Sequence, residues 1–239
     1  MTKKTLNQND IYVQKLVNTI EADFIFSNKP INRFKVIKSS KDNTNQDKTE
    51  QLTELKKQIS SIENCKLKEN SKNLVLGDGD INSSIMLIGE APGELEDNSG
   101  HSFQGDVGTL IKKMLSAIDI KIEKTYLTYS VNFRPPEDRK PTSQEIKRYS
   151  LFLKKHISII NPKIIILMGS TAMEAVTGLS NKISNIRGTW KEIILKNKTF
   201  PIMITFSPSY LIRFPDNKKY SWEDLKKIRD KIKDLDIKI

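Results

Sequence analysis

The sequence predicts an α/β protein in which helices cover both faces of a mostly parallel sheet. Its clearest sign is a set of four short apolar runs of strand length, at residues 83–90, 125–131, 162–169 and 200–207. Stretches with helical periodicity separate these runs. Buried strands that alternate with helices are typical of parallel sheets, because the crossover helices pack on the two faces.

Three helices are predicted around the first strands. The first is expected at residues 52–61. The second has one apolar face, made by Val107, Leu110, Ile111, Met114, Leu115 and Ile118. The third begins at Thr142, whose hydroxyl can form a capping box with Glu145, and runs to about residue 158.

The chain divides by composition into three segments. Residues 1–37 are expected to be an N-terminal helical extension, since apolar residues between 10 and 24 recur at helical spacing, and such a helix could dock on a protein partner. Residues 38–51 contain no apolar residue and are expected to be a polar linker. Residues 52–239 are long enough to bury one sizeable core, and we expect a single domain there.

The charge of the chain points to a polyanionic partner. Forty Lys and Arg residues against 29 Asp and Glu residues give a formal net charge of +11. No apolar run has the length of a membrane span and the N-terminus has no signal-peptide pattern, so we expect a cytoplasmic protein with no membrane partner. The single cysteine, Cys65, excludes an internal disulfide and a four-cysteine metal site.

Three loops with Gly or Pro follow predicted strands, and they read GEAPGELED, YSVNFRPP and SPSYLIR. In parallel sheets ligands bind beyond the carboxyl ends of the strands, so these loops predict a composite site. The first loop lacks the third glycine of a dinucleotide fingerprint, and the chain has no P-loop motif. Its carboxylates would repel a phosphate, and they suit a cationic centre better.

Together with GHSFQG and IRGTW, these segments resemble in order and spacing the family 4 uracil-DNA glycosylases, the iron–sulfur type. The resemblance runs from about Ile62 to the C-terminus. It implies a uracil-DNA glycosylase-like, three-layer α/β/α sandwich with a mostly parallel central sheet. It also implies a DNA glycosylase of base-excision repair, which hydrolyses the N-glycosidic bond of a flipped deaminated base, uracil above all.

The resemblance assigns roles to residues of these loops. Glu90 matches the catalytic carboxylate, which stabilises the cationic sugar and orients water. Glu96 matches the acid that closes the same motif, although a solvent-facing loop acid is an equal alternative. Ser209 and Arg213 match phosphate contacts, and Leu211 matches the wedge that enters the base stack.

Four residues are expected at the base itself: Ala91, Phe103, Tyr129 and Ser207. Phe103 matches the aromatic that stacks on the extracted base, with a core Phe that anchors its loop as the alternative. Tyr129 stands where the family has an Asn that reads the uracil edge, and Ser207 stands where it has a His. Uracil discrimination is therefore expected to be weakened or shifted. Neither histidine is an evident substitute, since His156 is expected on a helix surface and His101 is only a weak candidate near the pocket.

The four cluster ligands of the family map to Ile62, Cys65, Phe133 and Tyr149. One thiolate cannot hold a [4Fe-4S] cluster, so we expect the cluster to be absent and no other metal to be bound. Because the replacements are bulky and largely apolar, we expect these positions to form one hydrophobic plug.

Two functions remain open at this point. The first is a DNA glycosylase with weakened or shifted specificity, acting on DNA that contains a damaged or deaminated base. The second is a catalytically inactive, glycosylase-derived DNA-binding protein. An RNA- or nucleotide-binding module is a third possibility, and only the net charge supports it.

Overall fold

The computed structural model describes residues 43–237, with side chains from residue 47 onward. The predicted N-terminal extension and its helix lie outside the described residues. Helices within the described part of the chain are α1 (Asn43–Ser60), α2 (Lys66–Glu69), α3 (Glu94–Ser99), α4 (Gly105–Ser116), α5 (Ser143–Ile160), α6 (Ser170–Thr177), α7 (Ile183–Ile186), α8 (Pro208–Arg213) and α9 (Lys218–Asp234). None of these helices is both long and apolar enough to cross a membrane.

The strands form one mixed sheet. They are β1 (Gly77–Gly79), β2 (Ile85–Gly89), β3 (Tyr126–Tyr129), β4 (Ile164–Met168), β5 (Trp190–Leu195) and β6 (Lys198–Thr205). Their order across the sheet is β1-β3-β2-β4-β6-β5. The inner pairs β3–β2, β2–β4 and β4–β6 are parallel, whereas β1 and β5 pair antiparallel at the edges.

Helices pack on both faces of the sheet and give the three-layer α/β/α architecture. Alternate residues of each strand point to opposite faces, so Met86 and Ile88 of β2 face one core while Ile85 and Leu87 face the other. The first core also contains buried residues of α1, α5 and α6, and the second contains those of α4 and α9. The predicted fold class is confirmed.

The carboxyl ends of the parallel strands lie side by side. Gly89 of β2 is in register with Tyr129 of β3, and Met168 of β4 is in register with Thr205 of β6. From β2 the chain first adds β3 on one side and later β4 on the other, so the strand order reverses at β2. The end of β2 is therefore the switch point where α/β proteins bind ligands.

The observed elements differ from the predicted ones in three places. Helix α1 begins at Asn43, so part of the stretch expected as a linker is helical. Lys48 explains this, since its Nζ donates to the backbone oxygens of Ile81 at 3.1 Å and Ile160 at 2.9 Å. The antiparallel edge strands β1 and β5 were not predicted from the sequence.

The third difference concerns His156, which was expected on a helix surface. That prediction is wrong, because His156 is only 2% exposed and its Nε2 lies 2.8 Å from Tyr126 Oη. Burial lowers the pKa of the imidazole to about 3, so His156 is neutral in the folded protein.

Candidate active site

A pocket of about 350 Å³ opens at the carboxyl ends of β2, β3, β4 and β6. Eight of the residues assigned to the site from the sequence line it: Glu90, Ala91, Glu96, Phe103, Tyr129, Ser207, Ser209 and Arg213. The turn after β2 forms one wall, and the loop before α8 forms another. Segments far apart in the sequence thus meet at the switch point of the sheet.

Glu90 follows β2 directly and leans over the end of β4. Its Oε1 lies 3.2 Å from Thr171 Oγ1 and 3.5 Å from the backbone nitrogen of Thr171, at the start of α6. Gly169 makes room for this carboxyl, because a Cβ at Gly169 would lie 2.6 Å from Glu90 Cδ. The carboxylate is partly buried and faces the pocket with one oxygen held in place.

Glu96 is buried, and both of its oxygens accept backbone hydrogen bonds. Oε2 accepts from Gly93 N at 3.0 Å, and Oε1 accepts from Gln104 N at 2.8 Å. The first bond closes the N-terminus of α3, and the second ties the Phe103 loop to the acidic turn. The alternative of a solvent-facing loop acid is wrong, since Glu96 connects two walls of the pocket.

Phe103 and Tyr129 form a ring pair on the floor of the pocket. Their centroids are 4.5 Å apart with an interplanar angle of 31°. Gly89 fits beneath them, because a Cβ there would lie 2.8 Å from Phe103 Cζ and 3.0 Å from Tyr129 Cδ1. Phe103 adopts a left-handed backbone conformation with φ of 53°, which lets its loop turn the ring inward.

The hydroxyl of Tyr129 is engaged within the protein. It accepts a hydrogen bond from Phe103 N at 2.9 Å, and the Glu96 carboxylate is close enough to interact with it. Burial raises the pKa of the Tyr129 phenol well above its ordinary value, and the charge of Glu96 raises it further. Tyr129 is therefore a neutral side chain that holds Phe103 in position.

Ser207 follows β6 and is the N-cap of α8. Its Oγ accepts from Tyr210 N at 3.3 Å, and it is buried against the pocket. A hydroxyl that accepts one hydrogen bond still has a proton to donate. Ser207 can thus offer a single neutral donor to a ligand.

The pocket has a basic rim that the sequence reasoning did not assign. Arg139 and Lys140 line the pocket, and Arg139 is paired with Glu145 at 2.7 Å. They belong to the segment RPPEDRKP after β3, in which Arg134 pairs with Asp138 at 2.8 Å. The basic residues of this segment, beside a loop already assigned to the site, were the available signal.

Leu211 is not the exposed wedge that the resemblance implies. It is 1% exposed, because α8 turns it away from the pocket mouth toward Leu110 and Met114 of α4. Exposed apolar side chains nearby are Ile212 and Phe214. His101 does not line the pocket, and its Nδ1 pairs with Asp78 Oδ1 at 3.1 Å on the surface.

The four former ligand positions lie on the α1 and α5 side of the sheet. Cys65, Phe133 and Tyr149 belong to one apolar core, and Ile62 packs against it. Cys65 Sγ lies 3.2 Å from Tyr149 Oη, and the rings of Phe133 and Tyr149 meet edge to face at 6.4 Å between centroids. Burial raises the pKa of the Tyr149 phenol, so it is neutral.

These residues do not fit an iron–sulfur cluster. A cluster needs several thiolate or imidazole ligands, whereas this set offers one thiol in an apolar environment. Among the described residues, no group of three or more His, Cys, Asp and Glu side chains could hold a metal ion. Packed side chains occupy the place in which the family pattern puts its ligands.

Comparison with known proteins links the pocket to one family. A family model described as the uracil DNA glycosylase superfamily matches residues 76–228. The chain is similar to a type-4 uracil-DNA glycosylase of Thermotoga maritima, with 37% identity over 172 residues that cover 71% of this chain and 88% of the relative. Similar proteins of the same description occur in Sulfurisphaera tokodaii, with 34% identity covering 75% of this chain and 84% of the relative, and in Archaeoglobus fulgidus, with 30% identity covering 75% and 92%.

Proposed function

The chain belongs to the uracil DNA glycosylase superfamily, a family of DNA N-glycosylase hydrolases, and we propose that it removes a deaminated base from DNA. The base, uracil first among candidates, is flipped into the pocket, and water cleaves its N-glycosidic bond. The observation that carries the proposal is the position of Glu90, a carboxylate held at the pocket that the Phe103 ring pair also lines.

Glu90 supplies the chemistry in this proposal. As the glycosidic bond stretches, positive charge develops on the sugar and negative charge on the departing base. A carboxylate fixed beside the sugar stabilises that cation and orients the attacking water. The contact with Thr171 holds Glu90 in one orientation, so little reorganisation is needed during the reaction.

The base pocket supports weakened or shifted specificity. Phe103 offers a face for stacking, which supplies affinity with little discrimination between bases. Tyr129 offers no amide to read a base edge, and its hydroxyl is already used by Phe103 N and Glu96. Ser207 would donate one neutral hydrogen bond to a carbonyl of the leaving base, which stabilises negative charge less than a charged donor does.

The mouth of the pocket suits a DNA backbone. Ser209, Arg213, Arg139 and Lys140 line it, and they can contact phosphates on either side of a flipped nucleotide. The formal charge of +11 supports the same partner.

A catalytically inactive DNA-binding protein is the second candidate. The observation that favours it is the engaged Tyr129 hydroxyl, because the position that reads uracil in the family here holds the protein together. Such a protein would keep the pocket and the phosphate contacts without turnover.

Base release from labelled oligonucleotides separates the two functions. The substrates carry uracil, hypoxanthine or xanthine in single and double strands, and alkali cleaves the resulting abasic sites. We expect Glu90→Gln to lower the rate of base release by at least about 100-fold while DNA affinity stays nearly unchanged. Glu94→Gln is the matched control, since Glu94 is an exposed carboxylate of the same turn that does not line the pocket.

Either outcome is informative. Release by the wild type that disappears in Glu90→Gln and persists in Glu94→Gln supports the glycosylase and identifies its base. Release at the wild-type rate from Glu90→Gln contradicts the role of Glu90. Intact strands for every base, with DNA still bound, favour the inactive DNA-binding protein.

A further inference from the structure

Three aromatic rings form a ladder along α8. Phe206, Tyr210 and Phe214 are four residues apart, and consecutive ring centroids are separated by 4.9 Å in both steps. Phe206 at one end is buried, whereas Phe214 at the other end is 52% exposed. An exposed ring at the end of a row of packed aromatic rings is a surface on which a nucleic acid base can stack.

The first two rings of the ladder line a groove of about 760 Å³ beside the candidate active site. Phe214 lies outside that lining and follows Arg213, which lines the pocket. Ser207, Pro208 and Ser209 line the pocket, while their neighbours Phe206 and Tyr210 line the groove. The segment of residues 206–210 thus contributes to the walls of both spaces. A strand that places one nucleotide in the pocket can lay the adjoining nucleotides along the groove.

Cationic side chains accompany the rings. The Arg187 guanidinium lies 5.5 Å from the Phe206 centroid and 5.4 Å from the Tyr220 centroid. Arg187 is paired with the buried Asp224, so its charge is largely balanced. Lys219 Nζ lies 5.2 Å from the Tyr220 ring, and Lys182 lines the groove. Aromatic faces interleaved with lysines are the composition of surfaces that bind single-stranded nucleic acid.

The burial of Leu211 bears on whether the DNA substrate is single- or double-stranded. An enzyme that extracts a base from a duplex must unpair it, and an apolar wedge commonly fills the gap in the stack. Leu211 packs against α4 and cannot fill such a gap in this structure. An unpaired strand requires no wedge.

We propose that single-stranded DNA is the preferred substrate and that bases next to the flipped nucleotide stack on Phe214 at the end of the ladder. The inference rests on the proposed function for the flipped nucleotide. Binding of the flanking strand is a separate property and can be measured without base release.

The test compares binding of fluorescein-labelled DNA of about 15 nucleotides, lacking any deaminated base, as a single strand and as a duplex. We expect tighter binding of the single strand by the wild type. Phe214→Ala should weaken single-strand binding about 5- to 100-fold, and Phe214→Trp should retain it. Trp222→Ala is the matched control, because Trp222 is a 40% exposed aromatic that lines a different pocket.

A second measurement is base release from single strands by any variant that is active. Phe214→Ala should raise the DNA concentration needed for half-maximal rate and leave the rate at saturation unchanged. Equal affinity of the wild type for both forms overturns the proposal, as does unchanged single-strand binding by Phe214→Ala or an equal loss in Trp222→Ala. If the wild type releases no base but the binding differences hold, the proposed function fails, and the inference stands for the binding of single strands at Phe214 and not for a substrate.

Discussion

Two regions of the molecule depart from the family 4 pattern, and they depart in different ways. At the former ligand positions, the substituted side chains pack on one another, with Tyr149 in contact with Cys65 and Phe133. In the pocket, Tyr129 and Ser207 turn their oxygens toward the backbone, where each accepts a hydrogen bond from an N–H group. The first region replaces ligands by volume. In the second, Tyr129 uses its hydroxyl inside the protein, and Ser207 uses its acceptor there but keeps a proton to donate.

The difference reflects what each region has to supply. A structural core needs filled volume and cohesion, which aromatic and aliphatic side chains provide. A binding pocket needs particular donors and acceptors that face the ligand, and a hydroxyl that is bonded inward replaces an amide or an imidazole only in part. Substitutions in the first region should therefore change stability alone, and those in the second should also change base release.

The largest expected effect is in the former ligand region. Tyr149→Ala should lower the free energy of unfolding by about 3–5 kcal/mol, because a large aromatic side chain is removed from a packed core. Tyr149→Phe keeps the ring and loses only the hydroxyl near Cys65, so its loss should be about 1 kcal/mol. Urea unfolding measures both. Similar losses in the two variants would mean that the hydroxyl and not the packing stabilises this region.

The next effect sharpens the contrast at the pocket. Tyr129→Phe removes the acceptor of the buried Phe103 N–H group and should cost about 1–3 kcal/mol of stability. It should also slow base release, because Phe103 loses its support. Tyr126→Phe is the matched control on the same strand, since its hydroxyl pairs with His156 and not with the pocket. If both variants slow base release equally under single-turnover conditions, the distinction between the regions fails.

A smaller effect concerns pH and the structural layer. His156 has a pKa lowered by burial from 6.5 to about 3, so the unfolded chain binds a proton more readily than the folded protein. The contribution of neutral His156 to the free energy of unfolding is therefore fully present above pH 6.5 and is lost as the pH falls toward 3. Between pH 7 and pH 5 the loss is about 2 kcal/mol. Over this pH range the free energy of unfolding of His156→Gln should fall less than that of the wild type, and the difference should be about 2 kcal/mol. Parallel pH profiles of unfolding for the two proteins would rule out this role of His156.

The buried strands were predictable from the sequence because their apolar runs are continuous. Each predicted run covers most or all of the observed strand, as residues 83–90 cover Ile85–Gly89. The edge strands were not predictable from the sequence, because β1 has only three residues and β5 is partly exposed. The start of α1 depends on Lys48 and its contacts with distant backbone oxygens, which no local pattern contains.

The site was predictable to the level of loops. The ends of the predicted strands, and the Gly and Pro residues that follow them, located the pocket walls. Most of the assigned residues line the cavity. The burial of Leu211 could not be predicted, because it depends on how a six-residue helix packs against α4. Arg139 and Lys140 were missed because they follow a turn with positive φ at Glu137 and Asp138, which ordinary propensities do not anticipate.

The two hydrogen bonds of Glu96 have a consequence for how this pocket can change. They join the turn that carries Glu90 to the loop that carries Phe103, so the two walls form one mechanical unit. A substitution that tilts one wall to admit a larger base would displace the other as well. New specificity should therefore arise more readily from the wall at Ser207, which these two hydrogen bonds do not join to that unit, than from either end of the Glu96 connection.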